Sequence, residues 1–330
     1  MKSNEQKTKR KPKVMIEAID ASIKERLGNA EKILITGHIR PDGDAIGSML
    51  ALGLSLLNAD KDVQMVLPAG LPTAFSHLEG SELVQKETEG DIDLFISVDC
   101  ADFSRIHEDL QSFGMPAINI DHHITNEKYA EINLVEADSV ATASILTEHL
   151  PVWGLEITKP VAAALLTGLI TDTLGFRTLN MNPKAFRQAA TLMELGIDLP
   201  DLYYQALVSR SFKAARYWGA GLSSLERDGQ MVWAVLSLKN RKAVNYHGND
   251  DADLINMLSA IEDSPVALIF VEQPKEMVKV SWRARGKEWN VAQVAAQFGG
   301  GGHRAAAGAT IKGSLDEIKP KVLRATREIL

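Results

Sequence analysis

The chain has one cysteine, Cys100, in 330 residues. No internal disulfide is available to it, nor the thiolate cluster that usually holds structural zinc. Cys100 ends an apolar run and reads as a small core residue, not a nucleophile. Long apolar runs are also missing. No stretch approaches the roughly 20 residues a membrane helix needs, and the N-terminus has neither the apolar core nor the small-residue cleavage site of a secretory signal. A cytoplasmic location is the expectation. Positive charge is not in excess: the formal net charge is −7. That argues against a surface devoted to long duplex nucleic acid, which relies on many Lys and Arg contacts to phosphate. Short or deeply pocketed phosphate substrates stay open. Internal repeats and low-complexity segments are absent apart from a basic tail, residues 1–13, with Lys2, Lys7, Lys9, Arg10, Lys11 and Lys13. Such a tail reads as solvated and disordered, and no function is assigned to it.

What is present is the balance of a globular protein, 45% apolar and 24% charged residues, in a length that fits two domains. From Lys32 to Thr171 short apolar runs (KILIT, VQMVL, LFISV, MPAINI, NLVEA) alternate with helix-period segments (DAIGSMLALGLSLL, TASILTEHL, VAAALLTGLIT). This alternation predicts an α/β fold, a parallel sheet with helices on both faces, over 14–196. Helical stretches at Pro183 to Leu195, Leu199 to Arg210 and Phe212 to Leu225 follow, with 197–226 read as a helical linker. A strand-rich section (MVWAVLSL, VALIFVEQ, VKVSWRAR) and a closing helix near Leu315 to Ile329 then predict a smaller mixed-sheet α/β domain over 227–330.

Three apolar runs finish in residues that ligate metals. KILIT leads through Gly37 to His38, Asp42 and Asp44; LFISV leads to Asp99; INI leads to Asp121, His122 and His123. In neighbouring parallel strands these side chains converge on one sheet edge. The helical run VAAALLTGLIT adds Asp172. Carboxylates at Asp42, Asp44, Asp99 and Asp172 in one cleft repel and raise one another's pKa unless cations neutralise them, and two divalent ions would do so. Imidazole and carboxylate without thiolate favour manganese or a similar first-row ion over structural zinc. Such a pair activates water and supports in-line attack at phosphorus. An isolated His or Asp is more often a surface or capping residue, and Asp44 taken alone could be just an N-cap. Six such residues at element ends are hard to explain as caps.

A second constellation is Gly299, Gly300, Gly301, Gly302, His303 and Arg304. Glycines let backbone approach a ligand and present N–H groups to an anion; a glycine run is otherwise a flexible connection. Arg283 and Arg285 alternate with Ser281 on a strand and would share one face as a basic wall for phosphate.

The segments HIRPDGDAIGS (His38 to Ser48), SVDCAD (Ser97 to Asp102), DHH (Asp121 to His123), GLITDT (Gly168 to Thr173) and GGGGHRAAAG (Gly299 to Gly308) resemble the DHH/DHHA1 phosphoesterases. The resemblance covers nearly everything after the basic tail. It implies a DHH catalytic domain, a DHHA1 substrate-binding domain and two divalent cations, most readily Mn2+. His38, Asp42 and Asp99 would hold one cation, and Asp44, Asp99, His122 and Asp172 the other, with Asp99 bridging. His123 would face the scissile phosphate, Asp121 would orient its neighbours, and Arg283, His303, Arg304 and the backbone of Gly300, Gly301 and Gly302 would grip substrate.

Within the superfamily the chain is most similar to NrnA-type enzymes, which degrade very short oligoribonucleotides and remove the 3′-phosphate from adenosine 3′,5′-bisphosphate. RecJ-type exonucleases carry further nucleic-acid-binding domains, and family II pyrophosphatases end in a different domain. The implied partners are short RNA and small nucleotides, with no long duplex and no membrane; a homodimer is compatible with the resemblance. An anion pocket at a fixed distance from the cations would favour dinucleotides over longer chains. A cyclic di-AMP or linear dinucleotide phosphodiesterase is the alternative enzyme reading, and a non-catalytic nucleotide sensor the alternative from another class.

The other histidines, His77, His107, His149 and His247, have no partner motif and read as satisfied or exposed side chains. Asp250, Asp251 and Asp253 read as a solvated helix start. Trp282 reads as packing under a sheet.

Overall fold

A computed structural model describes the backbone of residues 2–330 and the side chains of residues 15–330. Two compact units divide the chain, Met1–Ser209 and Arg210–Leu330, so the helical stretch 197–226 is shared between them.

Six short strands build the first unit: β1 (Lys32–Thr36), β2 (Asp62–Val66), β3 (Val84–Gln85), β4 (Leu94–Val98), β5 (Ile118–Asp121) and β6 (Ile132–Val135). They pair in parallel in the order β3-β2-β1-β4-β5-β6. β4 reads LFISV and is buried at every position. Its continuous apolar run follows from that, since a parallel sheet is covered on both faces and has no solvent side to mark with polar residues. On one face Ile33, Ile35 and Ile96 join the main core, and on the other Leu34, Val66 and Phe95 pack with Cys100, Ile106 and Leu110. The strand order reverses between β1 and β4, and the carboxyl ends flanking such a switch point leave a crevice.

The helices are α1 (Lys2–Asn29), α2 (Gly43–Leu57), α3 (Glu108–Gln111), α4 (Thr142–Trp153), α5 (Lys159–Asp172), α6 (Pro183–Met193) and α7 (Leu199–Tyr203), the last followed by a π-helical turn at Tyr204–Val208. α1 carries helical backbone back through residues 2–13, which the sequence reads as a tail; Lys, Arg, Glu and Gln are good helix formers. The basic side chains there lie outside the described residues. α2 packs tightly on α5. A Cβ at Gly47 would sit 2.4 Å from the Ala164 carbonyl oxygen, so only glycine permits that approach. Met49, Leu50, Leu52 and Leu56 of α2 are buried, each worth about 1.5–3 kcal/mol of transfer free energy.

The second unit contains β7 (Glu226–Asp228), β8 (Met231–Leu236), β9 (Val266–Gln273), β10 (Met277–Ala284), β11 (Gly301–His303) and β12 (Ala306–Lys312). Its helices are α8 (Phe212–Ser223), α9 (Leu238–Ala243), α10 (Leu254–Leu258), α11 (Val291–Gln297) and α12 (Leu315–Arg327). The sheet runs β11-β12-β10-β9-β8-β7; β8 and β9 are parallel and the other pairs antiparallel. β10 alternates half-buried and buried positions, so Val278, Val280 and Trp282 enter one core while Lys279, Ser281 and Arg283 share the opposite face. Trp282 is fully buried, and its indole N–H donates to Thr326 Oγ1 at 3.1 Å. Among the described residues no helix is long and apolar enough to cross a membrane.

Candidate functional site

β1 and β4 end beside the switch point, and their successors His38 and Asp99 face one another there, with His38 Nε2 3.7 Å from Asp99 Oδ2. Asp99 has a left-handed backbone (φ +52), a conformation Asp tolerates better than most residues and one that turns the chain sharply off the strand. From the end of β5, His122 Nε2 lies 3.7 Å from Asp99 Oδ1, 3.9 Å from Asp44 Oδ2 and 3.7 Å from Asp172 Oδ2. His123 Nδ1 is 3.6 Å from Asp99 Oδ1. Three groups of donor atoms, each gathered within 4.8 Å, result: His38, Asp42 and Asp99; Asp99, His122 and His123; Asp44, His122 and Asp172. All six residues expected as ligands fall in these groups, and Asp99 belongs to two of them.

The electrostatics of this cluster fit cations. Burial pushes the Asp99 carboxyl well up, with Asp44 and Asp42 adding repulsion. Burial likewise raises Asp44, and it takes Asp172 up to about 8 with help from Asp44 and Asp42. Among the described residues no Lys or Arg forms an ion pair with these three carboxylates; only imidazoles do. Burial pulls His38 down to about 4, keeping it neutral as a ligand must be, and its buried Nδ1 has no hydrogen-bond partner. For His122 burial is outweighed by Asp44, Asp172 and Asp121, and the imidazole sits above its ordinary value. Carboxylate oxygens that resist ionisation until a cation neutralises them, set beside imidazole nitrogens, suit first-row divalent cations. A thiolate role is excluded, since burial takes Cys100 up to about 11 and its Sγ donates to the Asp102 carbonyl oxygen.

Asp121, at the end of β5, stands behind this cluster. Its Oδ1 is 2.7 Å from His123 Nδ1 and its Oδ2 accepts from Asn126 Nδ2 at 2.6 Å. Burial opposes ionisation, but these partners hold the Asp121 carboxyl below its ordinary range. Asn126 also donates to Asn119 Oδ1, which extends the support into the sheet.

The cap that the sequence allows for Asp44 taken alone falls to Asp42. Asp42 is the N-cap of α2, accepting from the N–H groups of Asp44 and Ala45 at 3.0 and 3.2 Å. Asp44 is not a cap of its own helix. Its oxygens accept instead from Thr142 N and Ala143 N, at 2.6 and 2.9 Å, on α4. Sequence reasoning missed Thr142, Ser139, Asn119 and Asn126; small polar residues near helix starts and in turns carry no signal to separate a support from an ordinary cap.

In the second unit the glycine run divides by role. Gly299 (φ +71) ends α11 in a left-handed cap. A Cβ at Gly300 would meet the Gly308 carbonyl oxygen at 2.2 Å, and one at Gly302 the Ala306 carbonyl oxygen at 2.5 Å. Packing of β11 on β12 thus explains those two glycines, while Gly301 borders open space. His303 pairs with Ala306, and Ala306 with Arg283, so His303 and Arg283 share one sheet face. Arg283 Nε donates to Asn256 Oδ1 at 3.2 Å, and the Arg304 guanidinium donates to the Lys287 carbonyl oxygen. Arg285 directly follows β10, its N–H still donates to the Pro265 carbonyl oxygen just before β9 at 2.8 Å, and its guanidinium donates to the Ile261 carbonyl oxygen at 2.6 Å. Asp251 is buried at 6% exposure and caps α10 through Ile255 N at 2.9 Å, where the sequence reads a solvated run; Asp253 pairs with Arg210 at 2.6 Å.

Residues 32–169 match the DHH family, N-terminal domain, and residues 230–330 the DHHA1 domain. The chain is 34% identical to the bifunctional oligoribonuclease and PAP phosphatase NrnA of Thermus thermophilus, over 90% of each chain. It is 28% identical to the probable enzyme of that name from Streptococcus mutans, over 84% of this chain and 89% of the other. An exopolyphosphatase-related protein from Bacteroides fragilis has the same fold, with a TM-score of 0.87 and 26% identity over 94% of this chain and 96% of that one. With both domains matched in sequence order and a relative 34% identical over 90% of each chain, the chain belongs to the DHH/DHHA1 family of phosphoesterases.

Proposed function

We propose that the protein is a manganese-dependent phosphoesterase that cuts short oligoribonucleotides to mononucleotides and removes the 3′-phosphate of adenosine 3′,5′-bisphosphate. The observation that carries this reading is Asp99, shared between donor groups that together gather His38, Asp42, His122 and His123 around one carboxylate. His38, Asp42 and Asp99 would hold one cation, and Asp44, Asp99, His122 and Asp172 a second. Such a pair supplies charge neutralisation at phosphorus and water activation at neutral pH.

The chain's own residues then have separate tasks. His123, oriented by Asp121, contacts the phosphoryl group and holds a proton at Nδ1. Arg283 and His303, on one face of the second sheet, bind the distal phosphate and its nucleoside, with Arg304 and the Gly300, Gly301 and Gly302 backbone beside them. The names of the relatives support this substrate class.

The test is release of mononucleotide from a linear diribonucleotide, and of phosphate from adenosine 3′,5′-bisphosphate, with Mn2+ and after its removal by chelation. Turnover of both substrates only with the cation supports the reading. Turnover of cyclic di-AMP alone would move the protein to the cyclic dinucleotide class, and tight binding without product would make it a sensor.

A further inference from the structure

The segment Ser139–Ala143 contains no charged side chain, yet three of the proposed cation ligands rest on it. His122 Nδ1 lies 3.4 Å from the Ser139 carbonyl oxygen. Thr142 Oγ1 donates to Asp99 Oδ1 at 3.1 Å. The N–H groups of Thr142 and Ala143 donate to Oδ2 and Oδ1 of Asp44 at 2.6 and 2.9 Å. These ligands come from the end of β5, the end of β4 and α2, so one turn of chain ties together three separate elements.

The arrangement follows from how α4 begins. Its N-cap position is Ala141, which has no side chain to satisfy the first amides. Asp44 satisfies them from another helix, and the positive end of α4's dipole favours its charge. Thr142 is fully buried at the first helical position, where no preceding helical turn offers its hydroxyl a carbonyl oxygen. Its hydroxyl donates to Asp99 instead. That matters because the two oxygens of Asp99 face different partners: Oδ2 faces His38 at 3.7 Å, whereas Oδ1 faces His122 at 3.7 Å and His123 at 3.6 Å. A donor fixed on Oδ1 sets the rotation of the carboxylate and so which oxygen serves which side.

Resting on the function proposed above, we infer that Thr142 is a positioning residue for the cation site: its hydroxyl fixes Asp99 while its amide, with that of Ala143, fixes Asp44. Thr142 touches no substrate. Its effect passes through the two carboxylates, so it acts on cation affinity directly and on turnover as a consequence. Ligand-orienting partners of this kind commonly contribute about 10- to 100-fold in metal affinity.

The experiment is calorimetric titration of the full chain with Mn2+ in the absence of nucleotide, for the native protein, Thr142→Val, Thr142→Ser and Ser55→Ala. Circular dichroism and thermal melting check that each variant is folded. Ser55 is a control, a buried hydroxyl that donates to the Glu156 carbonyl oxygen at 3.1 Å. The expected result is Mn2+ affinity weakened about 10- to 100-fold in Thr142→Val and restored in Thr142→Ser, with Ser55→Ala as native. If Thr142→Val fails to fold, Thr142→Ala carries the same comparison. Native affinity in a folded Thr142→Val, or equal losses in Thr142→Ser or Ser55→Ala, overturns the positioning role alone. A native protein that binds no Mn2+ overturns the cation site, and the positioning role with it.

Discussion

Asp121 Oδ1 and His123 Nδ1 lie 2.7 Å apart across a two-residue step at the end of β5. Because the Asp121 carboxyl is held below its ordinary range it is an acceptor only, and Nδ1 must carry the proton. Asp121→Asn replaces an obligate acceptor with an amide that is also able to donate. We expect kcat to fall about 10²-fold or more with KM little changed, in the range that correct positioning of an acid or base contributes. Steady-state kinetics on a diribonucleotide measures this, and an unchanged kcat removes His123 from its proposed role.

Asp99→Asn separates chemistry from stability. Asn accepts the left-handed backbone at this position, which Ala does not, so the fold should survive. Turnover should drop at least about 10²-fold, the usual cost of losing a preorganised electrostatic group. The cation-free variant should melt above the cation-free native protein, because one buried, mutually repelling carboxyl has gone. A lower melting temperature would show that the cluster does not strain the cation-free fold.

Gly168→Ala tests the packing that brings Asp44 into place. The added Cβ would lie 2.6 Å from Ala143 Cβ and 2.8 Å from Asp44 Oδ1. We expect destabilisation of about 1–3 kcal/mol in chemical denaturation, typical of an overpacked core, together with weaker Mn2+ binding. Native behaviour in both would mean that α2, α4 and α5 yield easily here.

His149 links α4 to α1 and to the loop after β6, with Nδ1 2.6 Å from Asp20 Oδ1 and Nε2 3.1 Å from Glu136 Oε1. Burial lowers the imidazole, but Glu136 and Asp20 outweigh it and hold His149 above 6.5. The hydrogen bond from His149 in turn holds Glu136 below 4.5. The raised imidazole stabilises the fold fully below pH 6.5 and loses that contribution as pH rises through its folded value. The depressed carboxyl stabilises fully above pH 4.5 and loses its contribution as pH falls through its folded value. The contact is therefore strongest between pH 4.5 and 6.5. His149→Gln should cost about 1.5–3 kcal/mol in that window and less at alkaline pH, read from denaturation curves across pH. A cost independent of pH would refute the charged pairing.

Arg283→Lys keeps the charge and removes the planar fork that reaches Asn256. KM for adenosine 3′,5′-bisphosphate should rise about 10-fold or more with kcat nearly constant, as expected when a charge-assisted contact worth about 1.5–3 kcal/mol is lost. An equal fall in kcat would place Arg283 in the transition state rather than in binding.

Much of the fold was legible because its strands are short apolar runs bounded by polar turns. LFISV and KILIT are buried on both faces of a parallel sheet, and that environment writes itself into composition. The ligand types were legible for a related reason: Asp99 and His122 directly follow strands and His38 stands two residues past one, and parallel order alone brings such residues to one edge. Arg283 and Arg285 follow the same period-two logic: β10 ends at Ala284, yet the Arg285 N–H still pairs with the Pro265 carbonyl oxygen. Asp251 was misjudged because a charged run gives no sign that one of its carboxylates is enclosed by caps and core.

Local order in the chain thus settled which residue types stand at the strand ends and, through the run of apolar segments, that those ends share an edge. Long-range packing settled which atoms meet there. Asp44 finds Thr142 across 98 positions and Thr142 finds Asp99 across 43, distances over which no spacing rule operates. The choice between a carboxylate that caps its own helix and one that caps another depends on how closely Gly47 and Gly168 let the helices approach, which is a property of the packed core and not of any one segment.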